Sequence, residues 1–183
     1  MKVTYLAVAE TAKLIRAALK SAFPGVKFAV RSSSYSGGCS VSVRWSDGPL
    51  ARDVEAIAGA FQGKRFDGMI DLAYSAELWL LPDGTATVAS DPGTVDNGGS
   101  RQPEREWMPH PEAKLIHTGA YVFCQREISP ALKERAAAWV GRRDWQFLDS
   151  YGVHRAYDEA EAVQGIAHRA MLVDGALVIA RRG

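Results

Sequence analysis

Groups able to recognise an anion or a base crowd one short run, Arg31-Ser32-Ser33-Ser34-Tyr35-Ser36-Gly37-Gly38, with Arg44 following closely. A guanidinium meets a phosphate through two parallel N–H donors. Serine hydroxyls add donors, and glycines let backbone approach a partner closely. A tyrosine ring offers a face on which an unpaired base can stack, which favours single-stranded nucleic acid. Serine and glycine are also ordinary turn residues, so the run names a chemistry without naming a ligand.

A second set is acidic. Asp67 and Asp71, followed by Glu77, are candidates for holding a divalent metal or for acid–base work. The histidines are His110, His117, His154 and His168, none at a metal-type spacing from another. A metal-dependent hydrolase or nuclease would require Asp67, Asp71 and a histidine to converge. The simpler reading is that Asp67 caps a turn before Gly68. There is no Gly-x-Ser-x-Gly elbow, phosphate-binding Gly-Lys-Thr loop, RNP-type aromatic pattern or zinc-finger spacing. No catalytic residue, metal ligand or cofactor is assigned.

Trp107 stands in the polar stretch 91–112, flanked by Arg105, Glu106 and Met108. An aromatic in an irregular arm is a candidate partner anchor. From Asp67 to Glu112 the chain holds nine Asp and Glu against Arg101 and Arg105. Such an acidic arm could occupy a basic groove of a host defence protein by charge complementarity.

The net charge of +1 conceals this asymmetry. Residues 1–66 carry ten Lys and Arg against four acids, and residues 67–183 carry twelve against seventeen. The basic first part suits phosphate or an acidic partner; it equally suits mutual neutralisation within the fold. The 183 residues, 47% hydrophobic and 23% charged, fit one soluble domain with a full core. No apolar run has the length of a membrane span, and the N-terminus lacks a signal-peptide pattern; a cytoplasmic protein without membrane contact is expected. Cys39 and Cys124 sit among apolar strand residues and read as reduced core thiols.

The elements that must carry these groups follow from periodicity. Leu14, Ile15, Ala18, Leu19 and Ala22 make one helical stripe over 11–23, stopped by Pro24-Gly25. Val26-Lys27-Phe28-Ala29-Val30 and Cys39 to Trp45 alternate as two strands, with residues 31–38 as the hairpin loop between them. Trp45 falls on the apolar face with Val41 and Val43. Leu50, Val54, Ile57, Ala58 and Phe61 repeat as a second helix after Pro49. Phe66 to Asp71 reads as a loop entering a short extended segment. Pro82-Asp83-Gly84 turns a hairpin, Tyr121-Val122-Phe123-Cys124 reads as a buried strand, and Ser129-Pro130 starts a helix. Residues 158–169 suit a last helix, and 171–179 a hairpin around Asp174-Gly175. Residues 91–112 form a mobile loop or inserted arm. The predicted class is α+β: a single domain over 1–183, an antiparallel sheet with helices mainly on one face, opening with a helix–hairpin–helix unit.

Five short motifs occur in an ordered series. They are Ala9-Glu10-Thr11-Ala12-Lys13-Leu14-Ile15-Arg16, Phe23-Pro24-Gly25-Val26-Lys27-Phe28, the Ser/Tyr/Gly run, Ser42-Val43-Arg44-Trp45-Ser46-Asp47-Gly48-Pro49, and Phe66-Asp67-Gly68-Met69-Ile70-Asp71. Together they resemble the large polyvalent protein-associated domain 29 family of phages, plasmids and conjugative elements. The resemblance is strongest over residues 9–72 and continues to Tyr121-Val122-Phe123 and Ile128-Ser129. It implies a mobile-element origin and an α+β module working on or beside nucleic acid or host defence factors. It carries over no catalytic mechanism. The expectation is a non-catalytic accessory module that binds nucleic acid or a nucleoprotein partner through the 31–45 hairpin.

Overall fold

The computed structural model describes residues 2–69, 71–90, 108–141, 156, 158–174 and 176–180. Eleven strands and four α-helices lie within these, in antiparallel and mixed sheets, which makes the class α+β. The chain divides into two compact units, one of residues 1–44 and 52–125, the other of residues 45–51 and 126–183.

The first unit opens on a strand, β1 (Thr4–Tyr5), and not on a helix. Two residues are too few to show alternation, and β1 gains its bonds from a distant partner, running parallel to β8 (Lys114–His117). Helix α1 (Val8–Ala22) follows. Its start is secured by Glu10, whose Oε2 accepts from Ala7 N at 2.9 Å. Ile15 and Leu19 of its apolar stripe are fully buried. Each such side chain contributes roughly 1.5–3 kcal/mol. Gly25, at φ 86°, takes the chain away from the helix end.

Strands β2 (Ala29–Tyr35) and β3 (Gly38–Ser46) pair antiparallel, and α2 (Ala51–Ala58) follows, closed by a 3-10 turn at Gly59–Phe61. The helix, hairpin and helix expected at the start thus occur in order. They do not stand as an opening unit, because β1 precedes them and residues 45–51 cluster with the second unit. The expected loop at Phe66–Asp71 is shorter, since Phe66 and Asp67 end β4 (Lys64–Asp67), and the extended segment it enters is β5 (Leu72–Ser75), paired with β4 as a small hairpin.

The four-stranded sheet has the order β1-β8-β6-β7, with β6 at Glu77–Leu80 and β7 at Ala86–Ser90. Leu78 faces Ile116 across the ladder, and Trp79 faces Leu115. All four are buried, so both faces of this sheet carry core. The three-stranded sheet has the order β2-β3-β9, with β9 at Ala120–Glu127.

In the second unit, Ser129 caps α3 (Pro130–Val140): its Oγ accepts from Leu132 N at 3.1 Å, with Pro130 in the first turn. Asp158 does the same for α4 (Glu159–Arg169) through Glu161 N at 2.8 Å. Ala136, Ala162 and Ala167 let these helices approach closely around Val140 and Ile166. Strands β10 (Ala170–Val173) and β11 (Ala176–Ile179) form the expected hairpin. Arg126 ties this unit together. Its guanidinium donates to the carbonyls of Asp47 at 2.8 Å, Gly48 at 3.3 Å and His168 at 2.9 Å, and to Ala170 O. Burial pulls its pKa below the ordinary arginine value, against the opposing pull of Asp47. Asp47 in turn accepts from Ser129 N through Oδ1 at 2.9 Å.

Candidate nucleic-acid interface

The Ser/Tyr run is mostly strand and not loop. Pairing continues from Ala29↔Arg44 to Tyr35↔Gly38 and leaves Ser36 and Gly37 as the turn. Gly37 has φ 88° and Ser36 does not share it, the sign pattern of a type II turn. The propensity of serine favours turns, but the Val30↔Val43 and Ser32↔Val41 pairs fix the register through buried valines.

That register sorts the candidate residues. Val30, Ser32 and Ser34 alternate onto the face that carries Val41, Val43 and Trp45. Arg31, Ser33 and Tyr35 alternate onto the other face, with Ser40, Ser42 and Arg44. Arg31 stands directly opposite Ser42, and Arg44 opposite Ala29, so the two arginines are diagonal neighbours, roughly 7–8 Å apart at the backbone. Both are exposed. Ser32 and Ser34 are exposed too, although on the opposite face of the ribbon.

Tyr35 is 51% exposed and its ring lies over Gly38: a Cβ there would stand 3.1 Å from Cε2. Gly38 is thus a seat for the tyrosine. One face of the ring is covered by Gly38.

Strand β9 adds what the sequence reading missed. Phe123, expected in a buried strand, is 58% exposed and stacks on Tyr121, with ring centroids 6.2 Å apart at 22°. The all-apolar look of Tyr121-Val122-Phe123-Cys124 hides the alternation. The signal was the continuation, where Gln125 and Glu127 are exposed in step with Phe123. Since β9 neighbours β3, its exposed side chains extend the same open face as Arg31, Tyr35 and Arg44.

A polar latch holds β9 in place. Thr118, 2% exposed, accepts through Oγ1 from Gly63 N at 3.0 Å and donates to Phe61 O at 2.8 Å. Gln62 Oε1 accepts from Val122 N at 3.0 Å, and Cys39 Sγ donates to Gly119 O at 3.5 Å. Gly63 is required at the crossing, where a Cβ would come within 2.5 Å of Thr118 Oγ1. Arg16 Nη2 donates to Val30 O at 2.9 Å, which fixes α1 against β2.

The other candidates take other roles. Asp67 Oδ1 accepts from Met69 N at 2.9 Å and caps the β4–β5 turn. Asp71 has φ 51° and is exposed, and His117 packs its ring against Tyr5 at 5.1 Å. Among the described residues no group of three or more His, Cys, Asp or Glu is placed to hold a metal ion. Trp107, His154 and the arm from 91 to 107 lie outside the described residues. Trp45 is a core residue, its Nε1 donating to Pro49 O at 2.9 Å. Cys39 and Cys124 are free, part-buried thiols, and burial, with a smaller effect of Glu55, pushes Cys124 up to about 11. Among the described residues no helix is long and apolar enough to cross a membrane.

Fold and surface together define an α+β module whose three-stranded sheet carries a face of aromatic and arginine side chains that no described element covers. The chain belongs to the large polyvalent protein associated domain 29 family, whose profile matches residues 6–129. It is accordingly an accessory module of the kind found in polyvalent proteins of mobile elements. No curated protein and no solved structure matches the chain.

Proposed function

We propose that this chain is a non-catalytic, cytoplasmic module of a mobile genetic element that binds single-stranded nucleic acid, or the nucleic-acid part of a nucleoprotein, on the open face of the β2-β3-β9 sheet. One observation carries the reading: exposed Tyr35 and the stacked Tyr121–Phe123 pair share an uncovered sheet face with exposed Arg31 and Arg44. Rings held on a rigid sheet accept bases of any sequence, and each stacked base adds about 1–3 kcal/mol. The arginines meet the backbone between them, and Ser33, Ser40 and Ser42 supply hydroxyl donors on the same face. Arg31 and Arg44 outnumber Glu127, the one acid that the described strands place on this face, so the potential there favours phosphate.

Fluorescence anisotropy with short single- and double-stranded DNA and RNA across a salt series tests this. Single strands are expected to bind more tightly than duplexes. Arg31→Ala/Arg44→Ala should weaken binding and reduce the slope of log affinity against log salt by about 1.4, at about 0.7 per phosphate contact on a single strand. Absence of binding at low salt would overturn the proposal and turn attention to a protein partner met through the acidic arm. So would a double variant with unchanged slope.

A further inference from the structure

A second surface of the first unit has a different chemistry. Between α1 and the end of the four-stranded sheet lies a groove of about 390 Å³. This is within the range of pockets that hold small ligands, roughly 300–1,000 Å³. Leu6, Leu14, Leu80 and Ile116 make its walls, drawn from the β1–α1 connection, α1, β6 and β8. Register explains the apolar floor: Leu80 and Ile116 fall on one face of the sheet, opposite the face occupied by Trp79 and Leu115.

Charge is confined to the rim. Lys13 projects from α1 and Lys114 from β8, both exposed and both lining the groove. Neither has an ion-pair partner among the described residues. The lining also contains one carboxylate, Glu10, whose Oε2 accepts from Ala7 N at the start of α1; it keeps its charge, so the groove carries two cations against one anion. Two lysines from two different elements thus line one apolar trough. The trough alone would accept any hydrocarbon; the paired lysines select for a negative headgroup at its mouth.

We propose that this groove binds a small amphipathic organic anion, with its apolar body against Leu6, Leu14, Leu80 and Ile116 and its charged head between Lys13 and Lys114. The site is separate from the open face of the β2-β3-β9 sheet and does not depend on what binds there.

A matched dye pair tests it on the full chain. Anilinonaphthalenesulfonate carries a sulfonate, and phenylnaphthylamine is the corresponding uncharged molecule. The sulfonate dye should bind at one site per chain, at least about tenfold more tightly than the neutral dye. Lys13→Glu/Lys114→Glu alters only exposed side chains and should abolish that preference while leaving neutral-dye binding in place. Leu14→Trp should fill the trough and weaken both dyes. Phe123→Ala and Arg31→Ala/Arg44→Ala should leave dye binding unchanged, which separates this site from the sheet face. Equal affinities for the two dyes in the native chain, an unchanged preference in the lysine double variant, or no binding of either dye would overturn the proposal.

Discussion

Replacing Arg126 by methionine should open the second unit without unfolding the first. The guanidinium donates to four carbonyls, of Asp47, Gly48, His168 and Ala170. The bond to His168 O is exposed, and its carbonyl rehydrates when the donor is lost. The other three are part-buried. Each hydrogen bond to a charged group is worth about 1.5–3 kcal/mol. Against this, removing the cation recovers part of its desolvation cost, which the lowered pKa reveals. Methionine also keeps most of the apolar stem. The net cost is expected at about 2–3 kcal/mol, a thirty- to over a hundredfold rise in the opening constant at about 1.4 kcal/mol per tenfold. Hydrogen–deuterium exchange read by peptide measures it directly: protection should fall by that factor in 45–51, 126–141 and 158–174, and hold in α1 and the four-stranded sheet. Arg126→Lys should recover only part of the loss, since an ammonium cannot reach four acceptors in a planar fork. A loss of protection under fivefold in Arg126→Met, or one spread evenly over both units, would refute the reasoning.

Three further outcomes follow from single residues. Thr118→Val removes the acceptor of Gly63 N and the donor to Phe61 O inside a buried crossing, and should cost about 2–4 kcal/mol in urea unfolding, with Thr118→Ser close to native. Phe123→Ala should weaken single-stranded oligonucleotide binding by about 1–3 kcal/mol in anisotropy while leaving the melting temperature within a degree or two, because the ring is largely in solvent. Cys124, pushed up to about 11, should resist iodoacetamide at pH 8 and react as pH rises toward its folded pKa, followed by mass mapping. The same shift has a defined sign for stability: the unfolded thiol ionises first, so this contribution holds below the unfolded value and declines as pH climbs toward 11.

The readable parts of the fold were those decided by local chemistry. The α1 stripe, the Ser129-Pro130 start, the Pro82-Asp83-Gly84 turn and the terminal hairpin each depend on residues within a few positions of one another. What escaped was decided at long range. Strand β1 exists only because β8 accepts it, over a hundred residues away in the chain. The β4–β5 hairpin leaves Phe66, Met69 and Leu72 exposed, so no alternating burial marks it. The candidate face was half legible. Arg31, Tyr35 and Arg44 were found by type, but their sharing of one face depends on a register that serine-rich sequence alone does not dictate. Gly38, a candidate for close approach by a ligand, also seats the Tyr35 ring, which only the paired strands reveal.

Genes that travel by recombination are cut and rejoined, and Arg126 sets a condition on where this chain tolerates a cut. The recognisable family sequence ends at residue 129. Arg126 lies inside that limit, while two of its acceptors, at His168 and Ala170, lie outside it. A breakpoint drawn at the family boundary would keep the cation and discard half of what solvates it. The set of residues that satisfies Arg126 is therefore larger than the stretch the family profile matches. Any sequence spliced on after residue 129 would have to supply carbonyls to the same guanidinium.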